Sequence, residues 1–217
     1  MKKLHALVLG ATGATGREII NQLLKNDSFS HVSIFVRNST NISHEKLSIN
    51  TINFSKISEY KSLIKGDVLF SALGTTKKDA GSSEQQFLVD YTYQYKFAEM
   101  AAENGVTTYS LVSSDGANKD SFFFYPKIKG ALEEEVKSLD FNKIQIFRPP
   151  LLVRQDDLIR SGEKIGIKIF NRLSKINIFR SLKPLHVSDL AQKMIENYLN
   201  KNITAKITTY KPKDLFD

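Results

Sequence analysis

The chain has 217 residues, a formal net charge of +8, 41% hydrophobic and 25% charged residues, and no cysteine. That length suits one α/β domain with a full core, and the lack of cysteine excludes a disulfide framework, a thiolate metal site and a cysteine nucleophile. No apolar run is long enough for a membrane span or a secretory leader, so no stable membrane insertion is expected and the cytosol is the expected compartment. The histidines (His5, His31, His44 and His186) show no ligand spacing, and no metal is expected.

The first element is an uncharged run after Leu4, through Ala6, Leu7, Val8 and Leu9, which reads as a buried parallel strand. Gly10, Gly13 and Gly16 follow at three-residue spacing. Ile19, Ile20, Leu23 and Leu24 then recur at helical spacing. Strand, glycine turn and helix in that order aim a helix N-terminus at the space above the turn, where its free N–H groups favour a phosphate. Gly10 suits the tight turn, Gly13 the close approach of a pyrophosphate and Gly16 the packing of helix on strand. The pattern predicts a dinucleotide site.

Residues 31–36 read as the second strand, ending at Arg37. Dinucleotide folds often carry an acid near this place, which binds the ribose hydroxyls. Here Val36, Arg37 and Asn38 stand instead. A guanidinium matches a 2′-phosphate, so NADP is expected over NAD. A loop through residue 46, a third strand at 48–54, a short helix at 59–64 and a fourth strand at 67–73 come next. The fourth strand runs into Gly74, Thr75 and Thr76, then a loop over 77–82. The longest helical pattern covers 84–104, with Phe87, Leu88, Tyr91, Phe97, Met100 and Ala101 inward and Gly105 as its stop.

A fifth strand over 107–113 ends in Ser113 and Ser114. After Phe122, Phe123 and Phe124 come Tyr125, Pro126 as first helical residue, and Lys129. Positions four apart share a helix face, so Tyr125 and Lys129 point together. A phenol is a poor acid–base catalyst at neutral pH, and a nearby ammonium stabilises its phenolate. With eight tyrosines in a lysine-rich chain the spacing alone says little; its place after the two serines gives it meaning. That helix runs over 126–139 and leads to a sixth strand at 143–147. A basic amphipathic helix is expected over 162–175, an extended piece at 184–187, a helix capped by Ser188 and reaching 199, and an edge strand over 203–210.

Between Arg154 and Lys183 lie eight basic and three acidic residues, so five of the excess charges sit in one segment. No nucleic-acid motif accompanies them, and no nucleic acid is expected as partner. The pattern as a whole predicts one domain over 1–217, a Rossmann-type doubly wound parallel sheet with helices on both faces. A small substrate-covering segment is expected at 151–187.

With those residues in hand, the chain resembles the atypical short-chain dehydrogenase/reductases, and more narrowly the Tat-interactive-protein-like oxidoreductases. The resemblance spans 4–199. It rests on the glycine spacing, Leu73-Gly74-Thr75-Thr76, Ala80-Gly81, Val89-Asp90, Ser113-Ser114 with Gly116-Ala117, and Arg148-Pro149. It implies a catalytic set of Ser114, Tyr125 and Lys129, with Ser113 as the alternative serine. It also implies that the turn from Gly10 through Thr12, Gly13, Ala14 and Thr15 to Gly16 holds the pyrophosphate. Arg37 and Asn38 would take the adenosine phosphate, Leu73 and Gly74 would pass beneath the ribose, and Leu152 would lie near the nicotinamide. Arg160 is a weaker cofactor candidate. The superfamily's catalytic asparagine has no clear equivalent near Asp90 and Tyr91. The expected function is NADP(H)-dependent hydride transfer to or from a small carbonyl or alcohol, and the alternative is an NADPH-binding sensor or scaffold. Monomer and dimer both remain open.

Overall fold

The computed structural model describes residues 3–155 and 183–216. Its first strand, β1 (Leu4–Leu9), is buried on both sides, which is why its sequence is apolar without alternation. Ala6 and Val8 enter one core, and Leu7 and Leu9 the other. Six further strands complete one parallel sheet: β2 (Phe29–Val36), β3 (Leu47–Thr51), β4 (Val68–Ser71), β5 (Thr108–Val112), β6 (Lys143–Phe147) and β9 (Ile207–Tyr210). Their order is β3-β2-β1-β4-β5-β6-β9. Leu9 therefore lies between Phe35 of β2 and Ser71 of β4, at the point where successive strands begin to add on the other side. In such sheets ligands bind at the carboxyl ends of the strands flanking that point.

Helix α1 (Ala14–Lys25) packs beside α6 (Val187–Leu199) on one face, burying Ile19, Ile20 and Leu23 with Leu190, Ala191 and Met194. The other face is covered by α4 (Tyr93–Glu103), α5 (Phe124–Val136) and a 3-10 segment, Phe54–Leu63, through Phe97, Met100, Leu132, Val136, Phe54 and Ile57. The doubly wound architecture is the one expected from the sequence. A separate parallel pair, β7 (Leu152–Val153) with β8 (Leu185–His186), joins the chain on either side of the 156–182 segment. The expected helix at 162–175, Arg160 and most of the expected covering segment lie outside the described residues.

Several boundaries differ from the sequence reading. The loop at 77–82 holds a short helix, α2 (Lys77–Ala80), capped by the Thr76 hydroxyl. Helix α5 begins two residues before Pro126, which stands in its first turn, where a missing N–H costs nothing. Ser188 lies inside α6, whose N-cap position is His186.

The largest difference is in the long helix. It runs as α3 (Ser83–Phe87), a π turn (Leu88–Thr92) and α4, ending before Gly105 at φ +80°. The wide turn changes the helical phase, so the inward stripe upstream of Phe97 is Gln86, Asp90 and Gln94. Phe87, expected inward, is instead 38% exposed and stacks at a centroid distance of 4.8 Å on Tyr91, which packs half-buried against the core as expected. The buried polar atoms find partners on β4 and its exit. The Ser71 hydroxyl donates to Gln94 at 2.8 Å, the Thr75 amide donates to Asp90 at 3.2 Å, and the Gln94 amide donates to the Asp90 carbonyl at 2.8 Å.

Candidate active site

The glycine turn is built as its spacing suggests, and two positions admit no other residue. Gly10 has φ +85°, and a Cβ there would sit 2.5 Å from the Ala72 carbonyl carbon. A Cβ on Gly16 would lie 2.1 Å from the Gly10 carbonyl oxygen, so α1 can cross the turn this closely only without a side chain. Gly13 is the N-cap of α1 and supplies no capping side chain, and the first turn carries no acid. The first N–H groups of α1 thus keep their capacity for an anion.

Two cavities open at this switch point and share Gly13, Ala72, Leu73, Gly74 and Thr75 as a common wall. One, of about 300 Å³, runs from Gly10 and Thr12 to Arg37 at the end of β2. The other, of about 480 Å³, extends from Ala14 and Thr15 past Asp90 to Ser113, Tyr125, Lys129, Leu152 and Arg154. The two adjoin along this shared wall as a cleft, with the phosphate-favouring N-terminus of α1 beside it. That donor set fits the phosphates of a dinucleotide.

Tyr125 and Lys129 both face the larger cavity from α5. Tyr125 stands at its mouth, 40% exposed, whereas Lys129 is 2% exposed and donates to the Val112 carbonyl at 3.0 Å. Burial pushes the Lys129 ammonium below its ordinary range, and the carboxylates of Asp90 and Glu133 oppose that shift.

The serine that shares the cavity with this pair is Ser113. It lines the cavity, and its hydroxyl donates to the fully buried carboxylate of Glu133. Arg148 donates to the same carboxylate through Nε at 3.0 and 3.1 Å and Nη2 at 2.5 Å, and this contact holds the guanidinium above its already high range. Ser114, the first-choice serine of the sequence reading, turns its hydroxyl to the Asp115 carbonyl at 3.0 Å and is not part of the cavity wall. Both serines follow β5, and the chain there turns only the first of them into the cavity.

Among the expected residues, Gly10, Thr12, Gly13, Ala14, Thr15, Arg37, Leu73, Gly74, Tyr125, Lys129 and Leu152 line the cleft. Gly16 acts beneath it through packing, and neither Asn38 nor Ser114 lines it. The sequence reading missed Gln86, Asp90 and Asp79. Asp79 lines the Arg37 cavity from α2, 42 positions further along the chain.

The family model described as NAD(P)H-binding matches residues 10–157, which contain the turn, Arg37, Tyr125 and Lys129. The chain belongs to this NAD(P)H-binding family, among the atypical short-chain dehydrogenase/reductases. Within the family it is 34% identical to Protein HTATIP2 of Rattus norvegicus over 177 residues, 80% of this chain and 73% of that protein. It is 31% identical to "Protein FMP52, mitochondrial" of Candida albicans over 210 residues, 94% of this chain and 91% of that one. The fold is also that of the Bordetella bronchiseptica enzyme WbmH in complex with NAD+, with a TM-score of 0.73 at 15% identity over 97% of this chain and 75% of WbmH. A Methanobrevibacter ruminantium UDP-N-acetylglucosamine 4-epimerase gives 0.72 at 16% identity, over 97% and 77%. Among the described residues of this family member, no helix is long and apolar enough to cross a membrane.

Proposed function

We propose that the chain is an NADP(H)-dependent oxidoreductase that moves a hydride to or from a small carbonyl or alcohol. The observation that carries this reading is the meeting of Tyr125 and Lys129, from one helix, with Gly13, Ala14 and Thr15 of the glycine turn on the wall of one cavity. The cofactor, when bound, supplies or accepts the hydride. The protein's part is to hold it and to handle the proton. The first turn of α1 binds the pyrophosphate, and Arg37 binds the adenosine end. Tyr125 gives its phenolic proton to the substrate oxygen in reduction and takes one back in oxidation. Lys129, held by the Val112 carbonyl, contacts the ribose and stabilises the phenolate.

For the serine role we take Ser113 over Ser114. Its hydroxyl hydrogen can rotate from Glu133 to a substrate oxygen while Arg148 continues to neutralise that carboxylate. NADP is preferred because Arg37 ends β2 where a carboxylate would disfavour a 2′-phosphate.

The test is thermal stability of the full chain with each cofactor. NADPH raises the melting temperature more than NADH does, and Arg37→Glu removes or reverses the difference. Equal shifts in the unmutated protein contradict the NADP assignment, and no shift from either contradicts the cofactor site.

A sensor that binds NADPH with little turnover is the second reading. It is favoured by the engagement of the Ser113 hydroxyl with Glu133. The cytosol remains the proposed compartment, although the Candida relative is named as mitochondrial, and cell fractionation separates the two.

A further inference from the structure

The long helix turns a carboxylate into the cavity at its widest backbone turn. Asp90 is 1% exposed, lies in the π turn and shares the cavity wall with Lys129, itself 2% exposed. Its oxygens receive the Thr75 amide at 3.2 and 3.4 Å, and a Cβ on Gly74 would come within 3.1 Å of Oδ1. The β4 exit therefore closes directly over this carboxylate. π turns inside α-helices are frequent at functional sites, and this one sets which residue faces inward.

We propose that Asp90 is the counter-charge of the site, a positioning residue that keeps Lys129 an ammonium and clamps the Gly74–Thr75 loop beneath the cofactor ribose. This deepens the oxidoreductase reading by assigning the group on which its lysine depends. A buried ammonium without a counter-charge tends to lose its proton, and with it the capacity to hold a ribose hydroxyl and a phenolate.

Among the described residues, few titratable or charged groups share this cavity with Lys129 or act on it. Asp90 comes from the π turn, Tyr125 and Glu133 from α5 itself, Ser113 and the Val112 carbonyl from the end of β5, and Arg154 from beyond β7. Glu133 already neutralises Arg148 through three hydrogen bonds, which reduces what it lends to Lys129. Asp90 and Lys129 are both buried on the wall of the same cavity, and the Asp90 carboxylate favours the charged lysine. One carboxylate thus fixes both a charge and a loop.

The experiment is a direct titration of Lys129 in the full chain without cofactor. Lysine is labelled with 13C at Cε, and the Lys129 resonance is assigned by its loss in Lys129→Arg. Asp90→Asn keeps an acceptor for the Thr75 amide and removes only the charge. The Lys129 midpoint then falls by about one pH unit relative to the unmutated chain, and Asp90→Glu restores most of it. Should Asp90→Asn fail to fold, Asp90→Ser, also neutral and an acceptor, supplies the same comparison. A midpoint unchanged in the neutral variant overturns the proposal, since a purely structural Asp90 would not move it. Because no cofactor is present, this result is independent of whether NADPH binds; a chain that ignores NADPH refutes the oxidoreductase reading and leaves this titration to decide the role of Asp90.

Discussion

The carboxylate of Glu133, fully buried on α5, and the guanidinium of Arg148, just past β6, are joined by three hydrogen bonds of 2.5 to 3.1 Å behind the Ser113 wall of the cavity. Truncating Arg148 leaves a buried charge with its main partner gone. Arg148→Met is expected to cost roughly 3–5 kcal/mol, and Glu133→Gln combined with Arg148→Met distinctly less, because the second change removes the orphaned charge. Urea denaturation of the three proteins checks this. A double variant as unstable as Arg148→Met alone contradicts the account.

Lys129 gives the stability a pH dependence of defined sign. Its pKa in the folded chain lies below the ordinary lysine value, so between the two values the unfolded chain binds more protons. Stability contributed by this group therefore rises with pH through that window, and the cost of burying the ammonium is fully present below it. The stability of the unmutated chain relative to Lys129→Met, measured without cofactor, should rise as pH goes from neutral toward the ordinary lysine range, on top of a pH-independent cost in the variant for leaving Asp90 without its counter-charge. Taking the difference between the two proteins removes the opposing effect of Tyr198, whose phenol burial pushes up to about 12. A difference that is constant, or that moves against the unmutated chain as pH rises, contradicts the burial argument.

The sheet was legible because a parallel strand buried on both faces leaves an unbroken apolar run, and β1 and β6 were placed within their observed bounds or close to them. The turn was legible for a related reason: Gly10 and Gly16 stand where backbone meets backbone, and only glycine fits. The Gln86–Asp90–Gln94 stripe was hidden. Polar residues on a helix read as its solvent face, and the π turn that carries them inward leaves no mark in a 3.6-residue pattern. Asp79 was hidden differently, since α2 brings it to Arg37 through tertiary structure alone. The choice between Ser113 and Ser114 depended on the path of the chain just past β5, and strand ends are where pattern reading is weakest.

Gly16→Ala tests the contact between α1 and the turn. The added methyl would meet the Gly10 carbonyl at 2.1 Å, so helix or turn must move. A loss of about 1–3 kcal/mol is expected, together with weaker NADPH binding, as for other overpacked sites. Thermal melts with and without NADPH read both effects. A variant with unchanged stability would show that the turn has room to relax.

Asp79 shares the smaller cavity with Arg37 and places a negative charge in the region assigned to the 2′-phosphate. Asp79→Asn should tighten NADPH more than NADH, by about tenfold if the charges are near and less if solvent screens them. Fluorescence titration with both cofactors at two salt concentrations measures it. Equal change for both cofactors means that Asp79 does not face the phosphate.

If Tyr125 handles the proton of a hydride transfer, consumption of NADPH separates the unmutated chain from Tyr125→Phe. The substitution keeps the ring, which is 40% exposed at the cavity mouth, and removes only the hydroxyl. Both proteins are assayed against a panel of aldehydes, ketones and quinones, with NADPH affinity measured alongside. The account predicts turnover by the unmutated chain on at least one compound, a loss of roughly two to four orders of magnitude in Tyr125→Phe, and nearly equal NADPH affinity in the two. A substrate reduced equally fast by both proteins, or no turnover at all by an unmutated chain that binds NADPH tightly, contradicts it.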